Sequence, residues 1–125
     1  MIERTATELL TEAREFIAEP ERWCQGYLAL DGHGKRIQPG LVTNVARCCG
    51  LGAAELAAAR HGLVESWLEL TRSAELLELA ASDLYPPSAE HDELSPVAYV
   101  NDKLGHAAIL RVYDAAIAAS QETNE

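Results

Sequence analysis

Residues 63–87 read LVESWLELTRSAELLELAASDLYPP. Leu63, Trp67, Leu70, Ala74, Leu77, Ala81 and Leu84 recur by fours and threes, which places them on one face of a long helix. Tyr85-Pro86-Pro87 then ends it, because proline can neither donate the next helical hydrogen bond nor fit the turn. The seam is heptad-like, and it predicts that Leu63, Trp67, Leu70, Ala74 and Leu77 face the core of the same chain. A mainly helical fold follows from this one element.

Upstream, Ile2, Ala6, Leu9, Ala13, Phe16 and Ile17 keep helical spacing, with Glu3, Glu8, Glu12, Glu15 and Glu19 on the other faces. Pro20 closes that first helix. Residues 25–38, QGYLALDGHGKRIQ, change texture: short apolar runs flank Asp31-Gly32 and Gly34, the chemistry of a tight turn, and predict a small β-hairpin. Residues 41–60, LVTNVARCCGLGAAELAAAR, are rich in alanine and read as a second helix with Val42, Val45, Cys49, Ala53, Leu56 and Ala57 on one side. Gly50 and Gly52 each cost that helix about 1 kcal/mol relative to alanine, so they signal close approach of another element. Downstream of the long helix, residues 85–95 form a polar loop. Ser95-Pro96 then has the N-cap and first-turn order of a short helix running to about Leu104. Gly105 breaks it, and Ile109, Val112, Tyr113, Ala116 and Ile117 carry a final helix before a polar, disordered tail at about 120–125. The expected architecture is a compact single-domain bundle of four to five helices over residues 1–125, with the hairpin inserted after helix one.

Composition bounds the function. A chain of 125 residues with 48% hydrophobic and 24% charged residues has the make-up of one ordinary globular domain. It holds no run of about 18 apolar residues that would cross a membrane, and Met1 opens an acidic segment without the basic-then-apolar order of a signal peptide. Three cysteines suit free thiols in a reducing, cytoplasmic compartment rather than a disulfide framework. Twenty acidic residues against ten basic ones give a net charge of −10, which repels a phosphate backbone. Direct binding of nucleic acid is therefore not expected; an anionic surface suits a basic protein partner or simply solubility, and a homodimer is a further option.

The reactive side chains are few. A cysteine nucleophile needs a lowered pKa and access to solvent. Cys24 follows Trp23, a large anchor for the junction of helix one and the hairpin, and reads as a structural thiol. His33 lies at the hairpin tip, where glycines favour exposure, so it is a poor base for Cys24; His106, near the start of the last helix, can approach Cys24 only through the fold. Cys48 and Cys49, read as neighbours in a helix, diverge by about 100° and do not serve one metal ion. Cys49 falls on the apolar face, whereas Cys48 falls toward a flank. His61 and His91 sit at a helix end and in a loop, where solvated histidine is the default. No metal site or cofactor is expected, and the chain has no phosphate loop, nucleophile elbow or HExxH motif. Asn101 and Asp102, in YVNDKLG at residues 99–105, either cap nearby helix ends or form a polar pocket pair.

The segments RWCQG, ARCCGLGA and YVNDKLG resemble an uncharacterised family of small bacterial and phage helical proteins marked by Trp-Cys-x-Gly-Ala, Cys-Ala-x-Gly-Ala and Trp-Asn-Asp motifs. In that resemblance Cys24, Gly26, Cys48 or Cys49, Gly52, Ala53, Asn101 and Asp102 take the marked positions, while Tyr27 stands where a small residue is usual and Val100 where tryptophan is usual. The likeness implies one fold and an accessory role in phages or mobile elements. Two functional expectations result. One is a non-enzymatic interaction protein that binds a host protein and modulates a nucleic-acid-handling or defence complex. The other is a small enzyme or ligand-binding protein with a pocket around Cys24, Cys48, Asn101 and Asp102, in which His106 joins Cys24, Asn101 and Asp102 as a candidate catalytic group. Under the first, WCQG is a structural joint: Trp23 plugs the base of the hairpin, Cys24 faces helix two near Cys48 or Cys49, Gly26 passes Gly50 or Gly52, and His33 stays in water.

Overall fold

The computed structural model describes residues 5–37, 45–60, 67–86 and 95–123, with the side chains of 67–71, 122 and 123 outside that description. Helix α1 spans Ala6–Ala18. Thr5 starts it with a capping box: its hydroxyl accepts from the Glu8 N–H at 3.2 Å, and the Glu8 carboxylate accepts from the Thr5 N–H at 3.2 Å. Its apolar face, Leu9, Leu10, Ala13, Phe16 and Ile17, is buried. Pro20 opens a single 3₁₀ turn, Pro20–Arg22, that swings the chain toward the sheet.

The sheet has three antiparallel strands in the order β2-β1-β3, formed by β1 Ala29–Asp31, β2 Arg36–Ile37 and β3 Val45–Cys48. The β1–β2 turn is held by the Asp31 carboxylate, whose Oδ1 accepts from the N–H groups of His33 at 2.8 Å and Lys35 at 2.9 Å. Those donors hold its carboxyl below the usual carboxylate range. Ala29 pairs with Ile37 on one side and Cys48 on the other, and a bulge between Leu30 and Asp31 shifts the β1–β3 register. On the far edge of β3, Trp23 forms an isolated parallel bridge with Cys48.

The third strand corrects the reading of residues 41–60 as one helix. Val45–Cys48 is extended, and helix α2 begins only at Gly50 and runs to Arg60. Cys48 thus lies in the sheet and Cys49 at the strand-to-helix junction, so the 100° divergence expected of two helical neighbours does not apply. The physical reason is non-local: residues 45–48 spend their backbone groups on β1, a pairing that local alanine content cannot signal. Val42 lies outside the described residues.

Helix α3, Trp67–Leu84, is long as expected. Leu77 and Ala81 are buried and Ala74 is half-buried, whereas Leu84, assigned to the same stripe, is 44% exposed. Leu63 lies outside the described residues, as do the side chains of Trp67 and Leu70. Ser95 caps helix α4, Pro96–Tyr99, by accepting from the Ala98 N–H, with Pro96 at its first position. The chain then widens into a π turn, Val100–Leu104, closed by the Gly105 N–H donating to the Val100 carbonyl at 3.0 Å. Gly105 ends it at φ +101°, a conformation that favours glycine.

Helix α5, His106–Thr123, buries Ile109, Val112, Tyr113 and Ala116. It runs through most of the segment expected to be a disordered tail: Ser120 is buried, and its hydroxyl shares a 2.6 Å hydrogen bond with Thr7 at the start of α1. Helix α1 packs against α2, α3 and α5, and α3 packs against α5, while β3 meets α2 and the 3₁₀ turn.

Candidate functional site

The sheet, the start of α2 and the π turn meet around one side chain. Asn101 is 1% exposed, which obliges its carboxamide to find partners inside the protein. It finds four. Oδ1 accepts from the Trp23 indole N–H at 2.7 Å and the Gly50 N–H at 2.9 Å; Nδ2 donates to the Cys24 carbonyl at 3.0 Å and to Asp102 Oδ1 at 2.9 Å. Two acceptances and two donations saturate an amide side chain. The i→i+5 closure of the π turn is the local feature at which Asn101 turns inward and Asp102 stays half-exposed beside it.

Neighbouring groups extend the joint. Asp102 Oδ1 also accepts from the Gly26 N–H at 2.9 Å, and Gln25 Nε2 donates to the carbonyls of Asn101 at 3.1 Å and Asp102 at 3.0 Å. The Gly50 N–H is an orphan donor at the first turn of α2, so Asn101 caps a helix remote in sequence. The Tyr113 hydroxyl donates to the Gly50 carbonyl from α5. Burial pushes that phenol well above its ordinary range and keeps it a donor.

The glycines play different parts. A Cβ on Gly52 would overlap the Leu28 carbonyl, and one on Gly50 would sit 2.8 Å from the Ile109 side chain, so both permit close approach. Gly26 does not: a Cβ there would meet nothing within 4 Å, and its role is a backbone at φ +83°. The expectation that Gly26 passes Gly50 or Gly52 is corrected on this point, because Leu28 makes that passage.

Cys24 and Cys48 are buried, with the Cys24 N–H donating to the Cys48 carbonyl at 3.0 Å and the Cys24 thiol donating to the Tyr27 carbonyl at 3.4 Å. Burial first, and then the neighbouring Cys49 sulfur, push the Cys24 thiol up to about 11 and the Cys48 thiol up to about 12. Cys49 is half-buried and also pushed up by burial; its sulfur accepts from the Gly52 N–H at 3.4 Å. All three are neutral thiols near pH 7, the opposite of an activated nucleophile. His106 does not turn to Cys24. Its Nε2 lies 2.6 Å from the Ile17 carbonyl, and its ring tilts against Trp23 with centroids 5.1 Å apart. His33 is exposed at the hairpin tip, and His61 and His91 fall outside the described residues. Among the described residues no group of three or more His, Cys, Asp or Glu side chains can hold a metal ion, and no helix is long and apolar enough to cross a membrane.

Beside the joint opens a cleft of about 230 Å³, lined by Gly26, Tyr27, Leu28, Cys49, Leu51, Val97, Ala98, Asn101 and Asp102. Of the residues named for a pocket, Asn101 and Asp102 line this cleft and Cys24 and Cys48 do not; the thiol in the lining is that of Cys49. Tyr27 and Leu28 at its rim are 46% and 42% exposed.

A family model described as "Family of unknown function (DUF6197)" matches residues 1–119. The chain belongs to that family. Comparison with curated proteins and with solved structures gives no match. For this DUF6197 member the site is therefore read from its own geometry, and two of its working groups escaped sequence reasoning. Gln25 stood inside RWCQG without a role, although a polar side chain between Cys24 and Gly26 was its signal. Tyr113 read only as core; its hydroxyl task depends on where Gly50 lies.

Proposed function

We propose that this chain is a small, acidic, non-enzymatic interaction protein that binds a basic host protein and so modulates a nucleic-acid-handling or defence complex. The observation that carries the reading is an exposed apolar pair, Tyr27 and Leu28, on a chain of net charge −10. Exposed aromatic and aliphatic side chains beside a concave surface are the usual anchors of a protein contact. The anionic field adds long-range attraction for a basic partner, and proteins that handle nucleic acid carry basic surfaces. Against the catalytic alternative stand the burial of Cys24 and the contact of His106 Nε2 with the Ile17 carbonyl.

The test is a pull-down from host lysate at low and physiological salt, run with the wild type and a Tyr27→Ala/Leu28→Ala double variant. Basic proteins held by the wild type, weakened by salt and lost with the variant, support the reading. The same recovered set with both baits contradicts it.

A further inference from the structure

The cleft beside Asn101 narrows what such a partner presents. At about 230 Å³ it falls below the roughly 300–1,000 Å³ of clefts that take drug-sized ligands and cofactors, and suits a single large side chain. Its walls are apolar, from Leu28, Leu51, Val97 and Ala98, with the Cys49 thiol neutral among them. Among the described residues Asp102 is the sole charged side chain in the lining. Its Oδ1 is held by the Gly26 N–H and Asn101 Nδ2, and among the described residues no bond takes Oδ2. A carboxylate pinned by one oxygen is oriented before anything binds, which reduces the ordering cost of binding.

We infer that this cleft receives an arginine or lysine side chain from the partner protein, the aliphatic stem against Leu51 and Ala98 and the cationic head on Asp102, with apolar neighbours of that residue resting on Tyr27 and Leu28. A long basic side chain is apolar along its stem and charged at its tip, matching the order of wall and carboxylate. The Tyr27 ring already carries one guanidinium, that of Arg36, 5.3 Å from its centroid. Arg36 lines the adjoining groove with Ile37 and is not part of the cleft wall. The net charge of −10 favours a cation on approach. This inference rests on the interaction reading and specifies its contact.

The experiment titrates the ¹⁵N-labelled full chain with acetyl-Leu-Arg-Leu-amide and with its citrulline counterpart, which keeps the shape and removes the charge. The arginine peptide shifts the amides of Gly26, Leu28 and Asp102 saturably and binds roughly tenfold more tightly than the citrulline peptide, the scale of one charge-assisted hydrogen bond. Asp102→Asn keeps an Oδ1 acceptor for the joint and abolishes that preference. Glu15→Gln, an equal loss of charge on exposed α1, retains it. Ala98→Leu fills the cleft and blocks both peptides. Equal binding of the two peptides, shifts away from the cleft, or a preference that survives Asp102→Asn overturns the assignment. Should the pull-down still recover a partner through Tyr27 and Leu28 while the peptides fail, the cleft assignment falls and the interaction reading stands; recovery of nothing removes both.

Discussion

Removing Asn101 should cost this small domain a large share of its stability, and the size follows from what its carboxamide satisfies. Asn101→Ala leaves the Gly50 N–H and the Cys24 carbonyl without partners in buried positions, while the half-buried Trp23 indole N–H can turn toward water. Each stranded buried group costs about 1–3 kcal/mol, so the variant should lose about 2–6 kcal/mol. A domain of this size holds about 5–15 kcal/mol in total. Asn101→Asp is the sharper variant, because it keeps the Oδ1 acceptor and replaces the donor with an oxygen facing the Cys24 carbonyl and the Asp102 carboxylate. Burial and that like charge raise the introduced carboxyl's pKa in the native state above the value of about 3.9 it has in the unfolded chain. The native variant therefore binds a proton that its unfolded chain releases. Its deficit against wild type should be largest near pH 7 and shrink as pH falls toward 5, where protonation restores a donor. Urea unfolding of the three proteins at pH 7 and pH 5, read as differences from wild type, measures this. A loss under about 1 kcal/mol for Asn101→Ala, or a deficit for Asn101→Asp that grows on acidification, would refute the reasoning.

The other expectations concern backbone contact and ionisation. Gly52→Ala should destabilise by about 1–3 kcal/mol or more, because its Cβ meets the Leu28 carbonyl and a backbone cannot rotate aside. Gly50→Ala should cost less, because its Cβ meets the Ile109 side chain, which can move, rather than a backbone carbonyl. Thermal melts of both variants rank the two effects. At alkaline pH the native protein keeps protons on Cys24 and Cys48 that an unfolded chain releases near 9.0. Stability should therefore fall as pH rises from about 9 toward 11 and 12, and the slope should become shallower in Cys24→Ala. Denaturant midpoints across pH 7 to 11 show whether it does.

Helix ends were largely legible because their signals are local. Ser95-Pro96 caps and starts α4 by its own side chain and ring, Gly105 supplies a positive φ, and Pro20 ends α1. Strand β3 was not legible, since Val45–Cys48 takes its conformation from pairing with β1 rather than from its alanine-rich surroundings. Ser120 misled for a similar reason: polarity reads as a loose tail until Thr7 is known to lie across from it. The site was half visible. WCQG and Asn101-Asp102 stood out as residues with something to do, yet Asn101 meets partners 51 to 78 positions away, a convergence that no spacing rule encodes. Gly50 and Gly52 announced close packing, and only the fold says that Ile109 and Leu28 are what approach.

The central claim is that Cys24 and Asn101 are tied into a buried structural joint, with Asp102 at its edge. The most direct measurement is the time course of thiol alkylation in the native protein at pH 7, resolved by mass spectrometry for each cysteine. A buried thiol pushed up to about 11 should leave Cys24 labelling slowly, with Cys49 at the cleft ahead of it and no change on His106→Ala beyond any loss of stability. Rapid labelling of Cys24 that slows when His106 or His33 is replaced would contradict the account.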